Sequence, residues 1–180
     1  MSLMSRKTPG RLAASGSLGP PGSSGQRGPI TQPSLKGRAL RLLSGREHSR
    51  AELQRKLRSF EEAPGELAAV LDELQAKDFI SEQRVIESVI NRRSAKLGTA
   101  RIQQELQGKG LDPQAVADAV SDLRTTELAR AREVWRKKFG EPALDAKARA
   151  SQMRFLASRG FGGDVIRRVV AEAPDDAFED

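Results

Sequence analysis

His48 is the only imidazole in this 180-residue chain, and cysteine is absent. Those two facts decide most of the chemistry open to it. Without thiols there is no disulfide framework, no thiolate nucleophile and no cysteine metal site. A two-histidine zinc site is impossible. A Ser-His-Asp triad would have to be built on His48, which stands beside Arg46, Glu47 and Ser49 with no nucleophile–carboxylate pattern around it. Gly160, Gly162 and Gly163 resemble a phosphate loop only superficially, because no strand precedes them and no Lys-Ser/Thr pair follows. The chain is therefore expected to bind rather than catalyse, with no metal and no cofactor.

Cations are the residues that could do the binding. Arg84, Arg92, Arg93 and Lys96, with Arg101 just beyond, form one concentration; Arg130, Arg132, Arg136, Lys137 and Lys138 form a second. At 100° per residue Arg92 and Lys96 share a helix face, as do Arg132 and Arg136. Such faces suit phosphates or acidic side chains lining a groove. They also suit the solvated side of an amphipathic helix, and Glu87, Glu127 and Glu133 dilute both groups. The formal charge of +7 is unevenly spread. Residues 1–34 hold Arg6, Lys7, Arg11 and Arg27 and no acid, whereas 172–180 hold Glu172, Asp175, Asp176, Glu179 and Asp180 and no base. The body, 35–171, keeps 27 bases against 19 acids. A positive body suits a polyanion or an acidic protein surface.

The elements that must position these residues are helices. Leu67, Val70, Leu71 and Leu74 form an i, i+3, i+4, i+7 stripe; Val85, Ile86, Val89 and Ile90 form another, and so do Val116, Ala119, Val120 and Leu123. Leu128, Ala131, Trp135 and Phe139 continue the series as a core stripe, and no alternating strand pattern competes with it. Ser49 with Glu52 fits a capping box, and Asp112-Pro113 an N-cap followed by proline at the first helical position. Ser81 and Thr99 are further candidate N-caps. Gly45, Gly110, Gly140 and Gly160 stand where a left-handed residue ends a helix. The spacing predicts nine helices, near 35–43, 49–58, 65–76, 81–96, 99–108, 113–122, 125–138, 145–158 and 163–171. No segment of about 20 apolar residues exists to span a membrane.

The helices repeat. Leu57, Leu106 and Leu156 are 49 and 50 residues apart, and Leu111 and Phe161, each after a glycine, are 50 apart. The chain is expected to be all-α: an elongated, curved array of three tandem three-helix repeats at 35–80, 81–124 and 125–171. A disordered, basic Gly/Pro/Ser-rich tail at 1–34 and an acidic end at 172–180 complete it. A cytoplasmic monomer is expected.

Specific strings then carry a resemblance. Arg46-Glu47-His48-Ser49-Arg50-Ala51-Glu52-Leu53 in the first repeat is followed by Leu97-Gly98 and Arg101-Ile102-Gln103-Gln104-Glu105-Leu106 in the second. Arg136-Lys137-Lys138-Phe139-Gly140 and Phe155-Leu156-Ala157-Ser158-Arg159-Gly160-Phe161 stand in the third. Together these resemble the RecX family of bacterial regulators of the RecA recombinase. The resemblance covers 35–171 and implies a regulatory role. The chain would bind the RecA–single-stranded DNA filament along its groove and restrain ATP hydrolysis, strand exchange and repressor cleavage, so modulating recombinational repair and the SOS response. It also places His48 in a turn that leads into a helix. Where members often carry an aromatic pair, this chain has Val85 and Val89. A helical DNA-binding protein acting without RecA is the competing reading, and weak direct DNA contact is compatible with either.

Overall fold

The structure, a computed structural model, describes residues 33–171. The expected disordered tail, apart from Pro33 and Ser34, and the acidic end lie outside the described residues. Among the described residues there are nine α-helices and no strand. They are α1 (Leu35–Gly45), α2 (Arg50–Leu57), α3 (Glu66–Ala76), α4 (Glu82–Arg93), α5 (Thr99–Gln107), α6 (Pro113–Thr125), α7 (Glu127–Lys138), α8 (Ala146–Ser158) and α9 (Gly163–Ala171), with a 3-10 turn at Arg58–Phe60.

Local chemistry sets the helix starts. Ser34, Ser81, Asp112 and Asp145 each accept a backbone N–H of the first turn, and Pro113 follows Asp112 at the first helical position. Ser49 and Glu52 form a complete capping box, each side chain taking the other's backbone N–H. Three details differ from the sequence expectation. Gly98, not Thr99, is the N-cap of α5, because the backbone there has another partner, described below. Gly45 is the last residue of α1, whereas Gly110, Gly140 and Gly160 do adopt positive φ. Two further left-handed residues, Gly65 and Asp78, border α3.

Helices of 8–13 residues are marginal alone in water. Their stability comes from three separate cores, each made by three consecutive helices. Leu35, Ala39, Leu53, Leu57, Leu71 and Leu74 fill the first; Val85, Val89, Ile102, Leu106, Val116 and Val120 the second; Ala131, Trp135, Leu156, Phe161, Ile166 and Val169 the third. Leu57, Leu106 and Leu156 are buried at equivalent places in successive cores. The Trp135 indole donates to Gln152 Oε1 at 2.9 Å, so its one polar atom is satisfied inside the core. The fold is thus three tandem three-helix repeats.

Consecutive repeats are joined by one device used twice. At the first joint Ser49, the N-cap of α2, donates its hydroxyl to the carbonyl of Lys109 at 2.6 Å. At the second joint Gly98, the N-cap of α5, donates its backbone N–H to the carbonyl of Arg159 at 2.9 Å, and the Ala100 N–H reaches the carbonyl of Gly160 at 3.2 Å. Ser49 and Gly98 are 49 residues apart; Lys109 and Arg159 are 50 apart. In each case the start of one repeat's second helix receives the loop that ends the next repeat's second helix. That loop turns on a left-handed glycine, Gly110 or Gly160, pressed against the helix it meets. A Cβ on Gly110 would stand 2.9 Å from Ala51 Cβ, and one on Gly160 would stand 2.7 Å from the Arg101 N. At Gly98 the approach is closer still, because a Cβ would overlap the Gly160–Phe161 peptide.

An arginine clasps each joint from the first helix of the later repeat. Arg84 of α4 reaches back to Glu47 at 3.1 Å, while also bonding Asp78. Arg130 of α7 reaches back to the carbonyls of Leu97 at 2.7 Å and Ser94 at 3.3 Å, and also holds Thr99 Oγ1 and the Leu123 carbonyl. Below the first joint lies His48, 3% exposed. Its Nδ1 has no hydrogen-bond partner, and Glu52 Oε2 is 3.9 Å away, too far for one. Burial pushes the His48 ring below its ordinary value, and the charges of Arg46, Lys56 and Lys109 add to this against the opposing Glu52. Burial alone would raise the Glu52 carboxyl. Hydrogen bonds from Lys109, the Ser49 N–H and Arg46 overcome it and hold the group at about 2.

Three expectations follow. Leu106→Ala should lower unfolding free energy by about 2–5 kcal/mol in urea titrations, as for a buried leucine in a closed core. Gly98→Ala should cost about 1–3 kcal/mol through overpacking against backbone, whereas Gly45→Ala, with nothing within 4 Å of its Cβ, should leave the midpoint unchanged or raise it. Acid should act in two stages. With its pKa lowered, His48 stays neutral in the fold, so its contribution is lost as pH falls below 6.5; that of Glu52 is present above about 4.5 and lost between there and about 2. Glu52→Gln should shrink the lower stage and widen the upper one, since it removes the charge that favours the His48 cation.

Candidate interaction surface

The cations singled out in the sequence fall into three structural settings. Arg132, Arg136, Lys137 and Lys138 are exposed on the second half of α7, with Arg136 bonded to Glu133 one turn back at 2.8 Å. The basic last turn opposes the negative end of the helix dipole. Arg92 and Arg93 are exposed in the last turn of α4, whereas Lys96, expected on the same helix face as Arg92, is exposed in the turn beyond, because the helix stops at Arg93 and not at 96. Arg92 bonds its own helix at the Ser88 carbonyl, and Arg93 crosses to Glu105 of α5 at 2.9 Å. Arg130 is in the second joint, half-buried and fully engaged with carbonyls; burial pushes its guanidinium below the ordinary arginine range. Its place in the chain beside Arg132 does not make it part of the same face.

Arg101 is the link between these settings. It is exposed on the first turn of α5, with its aliphatic stem against Gly160 and its guanidinium bonded to Gln104 at 3.2 Å. The next residue across the joint is Arg159, which periodicity alone did not single out. Its guanidinium sits 3.7 Å over the ring of Phe155, and Phe155 packs edge-on against Phe139 with centroids 5.1 Å apart. The signal for Arg159 was present as the repeat partner of Lys109. A second basic and aromatic spot lies in the first repeat. Arg38 stands 4.1 Å over the exposed ring of Phe60, with Arg41 and Lys56 lining the same cleft of about 310 Å³.

The geometry offers cationic faces and no catalytic constellation among the described residues. His48 is enclosed, and no group of three His, Asp or Glu side chains converges as a metal site. No helix among them is long and apolar enough to cross a membrane.

Known proteins match this architecture repeat by repeat. Residues 36–74 fit the family description "RecX, first three-helix domain", 81–120 the second three-helix domain and 125–170 the third. The chain is 56% identical over 139 residues to the regulatory protein RecX of Leptothrix cholodnii, covering 77% of this chain and 88% of that protein. It is 50% identical to the regulatory protein RecX of Herminiimonas arsenicoxydans, covering 76% and 90%. Among solved structures, RecX from Lactobacillus salivarius superposes with a TM-score of 0.64 at 20% identity, over 77% of this chain and 94% of that one. With three repeats in order, the same fold and over half the aligned residues shared with a relative, the chain belongs to the RecX family of regulatory proteins.

Proposed function

We propose that this protein binds the RecA–single-stranded DNA filament and restrains it, lowering ATP hydrolysis, strand exchange and the filament's coprotease activity, and so tempering recombinational repair and the SOS response. The observation that carries this reading is the match of all three repeats, in order, to the three RecX domains. Two physical features support it. Basic faces on separate repeats, the end of α4 and the second half of α7, allow one chain to touch a repetitive polyanionic or acidic assembly at several points. The chain also brings no nucleotide loop of its own, so an effect on ATP turnover would be exerted on the partner's site. The α7 face formed by Arg132, Arg136, Lys137 and Lys138 is the proposed principal contact, with Arg92, Arg93 and Lys96 as an outlying one.

The direct test is RecA's DNA-dependent ATPase with increasing amounts of the protein; no inhibition at one protein per RecA subunit would overturn the reading. Replacing Arg132, Arg136 and Lys137 together with alanine should leave the helical circular dichroism signal unchanged. Exposed charge contacts are worth about 0.2–1 kcal/mol each, so the half-inhibiting concentration should rise on the order of tenfold. An unchanged value would remove the α7 face from the contact.

A further inference from the structure

The two joints share a backbone design and differ in charge at equivalent positions. Three residues after the N-cap, the first joint has Glu52 and the second has Arg101. On the incoming loop the first has Lys109 and the second Arg159. In the first joint these side chains form an ion pair, with Lys109 Nζ 2.9 Å from Glu52 Oε1 and both nearly enclosed. In the second joint the pairing cannot form, because both members are cations. Arg159 is instead laid on the Phe155 ring, and Arg101 is turned to a neutral glutamine. Glu127, the carboxylate at this joint, does not compensate them. It is buried, accepts the Thr99 N–H at 2.9 Å and faces Arg130. The fold therefore roots two arginine side chains on either side of one loop, where its own repeat pattern elsewhere puts an acid opposite a base.

We infer that Arg101 and Arg159 at the joint between the second and third repeats form a site for the phosphodiester backbone of a nucleic-acid single strand. Two arginines rooted at one main-chain contact and lacking an acid between them gain from a bridging anion, and a phosphate offers oxygens to both guanidinium forks. Nucleic acid fits better than an acidic peptide because the Arg159 guanidinium is already held 3.7 Å over an aromatic ring. A guanidinium plane fixed in this way is the surface on which unstacked bases lie in single-strand binders. The positions of the two arginines relative to each other follow from the joint itself. The Gly98 N–H holds the Arg159 carbonyl, and the Arg101 stem covers Gly160. The inference rests on the proposed function only for which strand is meant, namely the one the filament holds.

Arg101→Glu is a discriminating variant, since it recreates in the second joint the acid–base pair of the first. It should fold with an unchanged or higher urea midpoint. Binding of the full chain to a fluorescent single-stranded oligothymidylate, followed by anisotropy at several salt concentrations, should weaken about tenfold or more. The slope of log K against log salt should drop by about 0.7 for each phosphate the variant no longer neutralises. Arg159→Ala should behave likewise. Competition by inorganic phosphate at the same ionic strength separates a generic anion site, which phosphate would empty at millimolar concentration, from a polynucleotide site, which it would not; the former result would overturn the assignment. So would an unchanged slope in Arg101→Glu. If the variants keep DNA binding but lose ATPase inhibition, the arginines face carboxylates of the protein partner and the inference fails while the proposed function stands. If the variants lose DNA binding while the wild type never inhibits RecA, the site stands and the proposed function fails.

Discussion

The contact on which the rest of the structure depends is a main-chain one, the Gly98 N–H donating to the Arg159 carbonyl. Each repeat buries its own core, so cohesion within a repeat does not orient one repeat against the next. That orientation is set at the joints. In the second, a helix start with no side-chain cap of its own is satisfied by the following repeat, whose loop takes the Gly98 and Ala100 N–H groups and whose Glu127 takes that of Thr99, locking the two bodies together. The absence of a Cβ at Gly98 and the left-handed turn at Gly160 are what let backbone meet backbone. In the first joint, a serine hydroxyl does the reaching and still caps its own helix.

Polar joints between apolar cores have electrostatic consequences. The first joint encloses Glu52, Lys109 and the neutral His48 within a few ångströms, and its charges are matched internally. The second places Arg130 among carbonyl oxygens and leaves Arg101 and Arg159 directed to other partners. The same architecture thus yields one joint suited to stability and one with residual positive charge. A buried ion pair contributes little net stability unless fully hydrogen-bonded. The three donors converging on Glu52 are what make the first arrangement tenable.

Much of this was legible in the sequence, because helix periodicity, capping residues and the 49–50-residue offset all point to the same fold. Leu57, Leu106 and Leu156 lie in successive cores as their spacing requires. Arg132 and Arg136 stand one turn apart on α7 as helical geometry requires, whereas Lys96 falls beyond the end of α4 and does not share a helix face with Arg92. What periodicity could not supply was the use of residues at the joints. Arg130 looks like its neighbour Arg132, yet a rotation of about 200° along α7 turns it inward to carbonyls from another repeat. Gly98 reads as a loop glycine, and only the incoming Gly160–Phe161 peptide shows why no larger residue fits. Arg159 gains its meaning from Lys109, fifty residues away, a comparison that requires the two loops to be superposed in space.

The main-chain character of the second joint bears on how such a protein can change over time. Backbone donors and carbonyls are present whatever side chains surround them, so a fastening made of them survives almost complete replacement of the neighbouring sequence. Only the two glycines are held fixed by space and conformation. A lineage can therefore recolour the outside of each repeat, exchanging an acid for an arginine at the site of Glu52 and Arg101, without altering how the repeats are set against one another. Such freedom accords with a fold shared with the Lactobacillus salivarius structure at 20% identity. It makes the joint a fixed frame on which a partner-binding surface can drift while the spacing between its parts is inherited.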